Sequence, residues 1–278
     1  MEELEELQAW EEQLSKWLEN LKKRIIAVNA VVLEGLYEYV DQFDNTLSFS
    51  ENLNVLLAAQ TRLPYILQTS GYGLLVNNLV SKLGETITKL GDYFQKTFKS
   101  PEQIKRVTDL FTASLAKVKE SLLGEGLQNG MVGEIVKTLQ YHVYSKSTKT
   151  IFREALKKTL GANGQPVKYL TTYTSDTLYQ YSRAYTEEVT KELDVQYYYY
   201  MGTRIDTSRD FCNARMGKPF TKKEVQSWAS LDWKGKIPGT SKFSITMYVG
   251  GYNCRHRIVP ISKEMYIKLG GQVSQKAA

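Results

Sequence analysis

Two cysteines, two histidines and no long apolar run set the first limits on this chain of 278 residues. Cys212 and Cys254 cannot build a disulfide scaffold, and in a reducing compartment they read as free thiols or metal ligands. No apolar stretch reaches the ~18 residues of a spanning helix, so no membrane span is expected. The opening residues lack the basic start and apolar core of a signal peptide, so a chain made and kept in a cytoplasm is expected. A Gly-rich phosphate loop, a Gly-x-Ser-x-Gly elbow and a His-Glu-x-x-His pair are all missing, which removes the enzyme classes built on them. Internal repeats and low-complexity tracts are absent too.

What is present is ordinary enough to fold. Hydrophobic residues make up 42% and charged residues 24%, and the length suits two domains or one with a helical extension. Tyr is abundant, 19 against 9 Phe, and its ring with a polar tip suits surfaces covered in one state and wet in another. Net charge is +6, unevenly placed: residues 196–260 hold eleven Lys/Arg against four Asp/Glu. Such a module could face nucleic acid, although a solvated basic face is the simpler reading.

The chain divides near residue 165. Before it, helical periodicity dominates. Leu4, Leu7, Leu14, Leu18, Leu21, Ile25 and Val28 follow a heptad interrupted only at Glu11, which predicts a long N-terminal helix with a coiled-coil seam. Early glutamates and the later Lys22, Lys23 and Arg24 suit its dipole. Further helices are expected over 52–67 (bent or ended by Pro64), 72–98, 101–123 with Ser100 as N-cap, and 134–160, with 124–130 as loop. Beyond 165 a helix over 175–193 leads to an aromatic strand at 195–201. Residues 244–249 alternate as a strand, 257–260 form another, and Thr221 with Glu224 makes a capping box for a short helix. The fold class is therefore α+β: a helical region over 1–165 and a small α+β module over 166–278.

Chemistry concentrates around the cysteines. Cys212, Cys254 and His256 offer three ligands for zinc, with Asp206 or Asp210 as a fourth. Cys254 and His256, two apart on a strand, share a face and so could pair as nucleophile and base, but no orienting third residue is identifiable. The preferred reading is a closed core in which both cysteines are buried and the arginines and His256 lock loops. His142 reads as a packed or surface residue, and Glu187-Glu188 as a solvated pair.

Two segments carry a resemblance. The first runs Gly202, Ile205, Asp206, Ser208, Arg209, Phe211, Cys212, then Gly217, Lys218 and Phe220. The second runs Gly250, Gly251, Asn253, Cys254, Arg255, His256 and closes on Pro260. Together, and after a helix carrying Tyr181, Arg183 and Ala184, they resemble the Mu F-like domain of phage minor head (minor capsid) proteins over residues 174–262. Many relatives have a second cysteine where this chain has His256, a swap that keeps a possible metal ligand. The resemblance implies a structural protein and not an enzyme. It would be a minor capsid component in the virion, the phage head, made in the host cytoplasm and associated with the portal or inner head. Its expected work is head assembly and DNA packaging or ejection. Expected partners are the portal and/or major capsid protein, packaged DNA by non-specific contact, and a second copy through the N-terminal helix; no cofactor is expected unless zinc. The alternative is an injected effector enzyme, nuclease-like or ADP-ribosyl-transferring, which needs Arg209, His256 and Asp206 or Glu224 to converge.

Overall fold

The computed structural model describes residues 1–272 and, within them, all side chains but those of residues 125, 126, 128 and 129. Helices dominate up to a small C-terminal sheet: α1 (Glu2–Val40), α2 (Phe49–Thr69), α3 (Tyr72–Phe98), α4 (Pro101–Ser121), α5 (Gly133–Tyr144), α6 (Lys149–Leu160) and α7 (Gln165–Leu193). After them come β1 (Tyr197–Met201), α8 (Asp210–Asn213), β2 (Pro219–Thr221), α9 (Lys222–Ser227), α10 (Ile245–Tyr248), β3 (Arg257–Ile261) and α11 (Lys263–Lys268). None of the described helices is long and apolar enough to cross a membrane. Contacts divide the chain into two compact units that are discontinuous in sequence. One gathers Met1–Trp17, Lys82–Leu115 and the chain from Ser175 onward; the other gathers Leu18–Ser81 and Ala116–Thr174. This division differs from a single break near residue 165, because the first residues of α1 and the middle of the helical region group with the sheet.

The heptad stripe of α1 is buried within the chain itself, from Leu4 through Val28 and on to Val32, Leu36 and Val40. The expected seam for a second copy or a partner is therefore already covered. Lys22, Lys23 and Arg24 lie mid-helix, since α1 runs on to Val40.

Within the helical unit, three expectations change and one, His142, narrows. Pro64 lies inside α2 without ending it, on the exposed face where water can satisfy the carbonyl its missing N–H leaves. Leu122–Gly126 and Gln128–Val132 continue as wide π-helical turns in place of a loop. The expected helix over 134–160 is two, because Thr148 caps α6 by accepting from the Ile151 N–H while Lys146 takes a positive φ of 50°. His142 is packed, stacked 5.3 Å from the Phe152 ring with Nδ1 bonded to the Ser147 hydroxyl at 2.9 Å.

In the other unit, β1 is the central strand of an antiparallel sheet in the order β2-β1-β3. The period of two sends alternate tyrosines to opposite faces. Tyr198 and Tyr200, with Ile258, join Phe211, Cys212, Val225, Trp228, Ile245, Val249 and Cys254. Tyr199 and Met201, with Val259 and Ile261, join Leu4, Leu7, Trp10, Ile87, Leu90, Phe94, Tyr185 and Met265. A two-sided core explains the run of aromatics. Many of the tyrosines expected at changeable surfaces are instead interior: Tyr93 donates to the Pro260 carbonyl at 2.7 Å, and Tyr185 pairs with Thr108 at 2.7 Å. Burial pushes the Tyr185 hydroxyl up to about 12. Pro260 is tolerated because β3 is an edge strand. The expected strand at 244–249 is the one-turn helix α10. Ile245 in α10 and Val249, the residue that caps it, are both buried and four apart, a spacing that fits a helical turn better than a strand.

Candidate functional site

The two motif segments meet on the Tyr200 face of the sheet. Cys212 sits on α8, one turn started by a bend in which the Ser208 hydroxyl accepts from the Ile205 N–H at 2.9 Å. Arg209 then reaches across to the Tyr252 carbonyl at 2.5 Å. Phe211 stacks on Trp233 with ring centroids 4.0 Å apart, and the Trp233 indole donates to the Gly250 carbonyl at 2.9 Å. Gly217, at a φ of 75°, donates its N–H to the Tyr200 carbonyl and turns the chain into β2. Thr221 and Glu224 form the expected capping box on α9.

The second segment is shaped by close approach. A Cβ on Gly251 would lie 1.9 Å from the Gly235 carbonyl oxygen, and Gly251 has a φ of 95°. Asn253 follows at a φ of 54°. Arg255 is half-buried and supplies charge to Asp176, whose carboxyl is pushed up by burial. Gly202 lies against His256, where a Cβ would fall 2.7 Å from the ring.

Cys212, Cys254 and His256 come together. Their ligand atoms lie within 4.8 Å of one another, and the residues are 1%, 5% and 3% exposed. The Cys254 sulfur is 3.6 Å from His256 Nδ1 and accepts from the His256 backbone N–H at 3.4 Å. Hydrogen bonding to Cys254 and burial hold the Cys212 thiol well above the usual range. Cys254 is held well below it by the bond from Cys212, aided by His256 and Arg183. Neither Asp206 nor Asp210 joins the group: both are exposed, and the expectation of a carboxylate fourth ligand is not met.

The residues an effector enzyme would need are not brought together. His256 is buried, Arg209 is bonded to backbone, and the Glu224 carboxylate accepts from the Thr221 N–H and hydroxyl at 2.6 and 2.7 Å. An open groove of about 930 Å³ runs past Asp206, Arg209, Asp210, Asp232 and Trp233, but neither His256 nor Glu224 lines it.

Three residues matter more than sequence reasoning showed. Arg183, on α7 and buried, donates to the Cys254 carbonyl at 2.5 Å and to the His256 carbonyl at 2.7 Å. Tyr200 is buried with its hydroxyl beside the Cys212 sulfur, yet it makes no hydrogen bond of good geometry. Glu11, the interruption of the heptad, is 3% exposed and ion-paired to Arg257, which is 1% exposed. Burial pushes the Glu11 carboxyl up, opposed by Arg257, Arg183 and His256. The pairing is a close contact with poor hydrogen-bond angles, since Arg257 has no well-aligned acceptor. It is an ion pair nonetheless, because two opposite charges in contact at this depth attract strongly whatever their alignment. A polar residue breaking an apolar stripe was the available signal.

No family model, curated protein or solved structure matches the chain.

Proposed function

We propose that the chain is a structural minor head protein of a tailed phage, of the Mu F-like type, acting with the portal or inner head in assembly and in DNA packaging or ejection. The observation that carries this reading is the ordered pair of segments, Gly202 to Phe220 and Gly250 to Pro260, whose distinctive residues close on one another. Their polar groups hold backbone: Arg209 holds Tyr252, Arg183 holds Cys254 and His256, and Trp233 holds Gly250. That is the chemistry of a rigid assembly module.

With the α1 stripe covered, contact with portal or shell falls to exposed apolar residues of the helical unit. Phe49 and Tyr144 are the best pair, both exposed with rings 5.9 Å apart. Packaged DNA would meet the exposed cations Arg204, Lys218, Lys223, Lys234 and Lys242.

Heads purified from a host expressing the phage head genes together with this chain are the test. The chain is expected in them at low copy, and Phe49→Ala with Tyr144→Ala should lower its incorporation. Its absence from purified heads, with the protein present and folded in the same cells, would sink the reading.

A further inference from the structure

We propose that Cys212, Cys254 and His256 are protein ligands of a structural zinc ion, with the Tyr200 hydroxyl beside the fourth position. The donor set suits the metal, since two sulfurs and an imidazole nitrogen are what zinc selects in closed sites. The spacing suits it as well. Zinc bonds of about 2.3 Å to sulfur and about 2.0 Å to nitrogen, at a tetrahedral angle, put those atoms about 3.5 Å apart. Cys254 Sγ and His256 Nδ1 are 3.6 Å apart, and all three donors lie within 4.8 Å.

The surroundings are built around this point. A Cβ on Gly250 would stand 2.4 Å from the Cys212 sulfur and 2.9 Å from the Cys254 sulfur, so a glycine is what lets both approach. Gly202 does the same for the imidazole. Arg183 clamps the carbonyls of Cys254 and His256 from behind, fixing the backbone that carries two of the three donors. The buried Tyr200 hydroxyl, without a well-formed hydrogen bond, is a polar atom in need of a partner. With all three ligands buried, the fourth position lies inside the core beside the Tyr200 hydroxyl and not at a surface, and the ion's part is to tie α8 to the segment entering β3.

The full chain, purified under reductant and stripped with chelator, is titrated with Co²⁺ after circular dichroism has confirmed that it is folded. On the order of one ion per chain is expected, with a thiolate-to-cobalt charge-transfer band, the intense visible bands of a tetrahedral site, and displacement by Zn²⁺. Cys254→Ser should abolish the thiolate band or weaken binding by at least tenfold. Should that variant fail to fold, His256→Cys keeps a ligand at the position and should retain the ion with an altered spectrum. Tyr200→Phe should retain the ion with changed visible bands. A folded chain that takes up neither Co²⁺ nor Zn²⁺, or binds without a thiolate band, overturns the proposal; so does His256→Cys with an unchanged spectrum. A chain that binds zinc but never enters a head would defeat the head-protein reading and leave this one standing.

Discussion

His256 and Arg257 are neighbours in sequence, yet they serve opposite faces of one sheet. His256 joins two sulfurs on the Tyr200 face, whereas Arg257, opposite Met201 in the register, meets Glu11 on the other. Both clusters are buried, but their energetics differ in kind. The Glu11–Arg257 pair carries full charges that water would otherwise solvate, so each is tolerable only while the other is present. The sulfur–imidazole cluster is built from soft groups packed at close range, and its constraint is steric: a Cβ on Gly250 would stand 2.4 Å from the Cys212 sulfur. One face is held by obligatory partnership and the other by close fit.

Four changes would break or sharpen that contrast. The largest effect is expected from Arg257→Met, which strands Glu11 and should cost about 3–5 kcal/mol in urea unfolding. Adding Glu11→Leu to it should restore most of that loss; simple additivity of the two would deny the partnership. Arg183→Gln comes next, because its guanidinium reaches both faces, bonding the Cys254 and His256 carbonyls and lending charge to Glu11. A loss of about 1.5–3 kcal/mol is expected, together with faster reaction of both thiols with an aromatic disulfide reagent. Gly250→Ala tests the steric face alone. It should cost about 1–3 kcal/mol by overpacking against the two sulfurs while leaving the Arg257 double-mutant coupling unchanged.

The smallest effect lies at His142, away from both clusters, and serves as the control. Burial lowers its pKa below the ordinary 6.5. As pH falls, the unfolded chain takes up the proton first. The contribution of neutral His142 is therefore complete above 6.5 and is lost as pH drops through the lower folded value. Unfolding midpoints measured across that window should slope less in His142→Phe than in the parent chain, and equal slopes would remove His142 as the cause.

Much of the architecture was legible because its signals are local. The heptad gave α1, the tyrosine run gave β1, and Thr221 with Glu224 gave α9, each from spacing within a few residues. Errors fell where two periods fit the same residues: Ile245 and Val249 satisfy both an alternating strand and a helical turn, and tertiary packing chose the turn. Part of the site was legible too, since the cysteines and His256 do gather. Glu11 showed only as the break in the heptad; its partner Arg257 lies at the far end of the chain, and local pattern carries no trace of that pairing. The basic surplus of residues 196–260 is only partly free to face a partner. Arg257 faces inward to Glu11, Arg209 binds the Tyr252 carbonyl, Arg215 lies 3.9 Å over the Phe211 ring, and Lys236 donates to the Ala229 and Leu231 carbonyls. Counting charges cannot separate cations that hold a loop from cations that face a partner.

The ion pair between the first helix and the last strand also bears on synthesis. A ribosome makes Glu11 long before it makes Arg257, and until then that carboxylate has no counter-ion of its own. The unit built from Met1–Trp17, Lys82–Leu115 and the chain from Ser175 onward therefore cannot close on a nascent chain that stops short of β3. The unit of Leu18–Ser81 and Ala116–Thr174 has all its residues in hand much earlier. Translation thus imposes an order on assembly, and a truncated product would leave the opening turns of α1 with their apolar stripe uncovered, the state in which chaperones or aggregation would meet it.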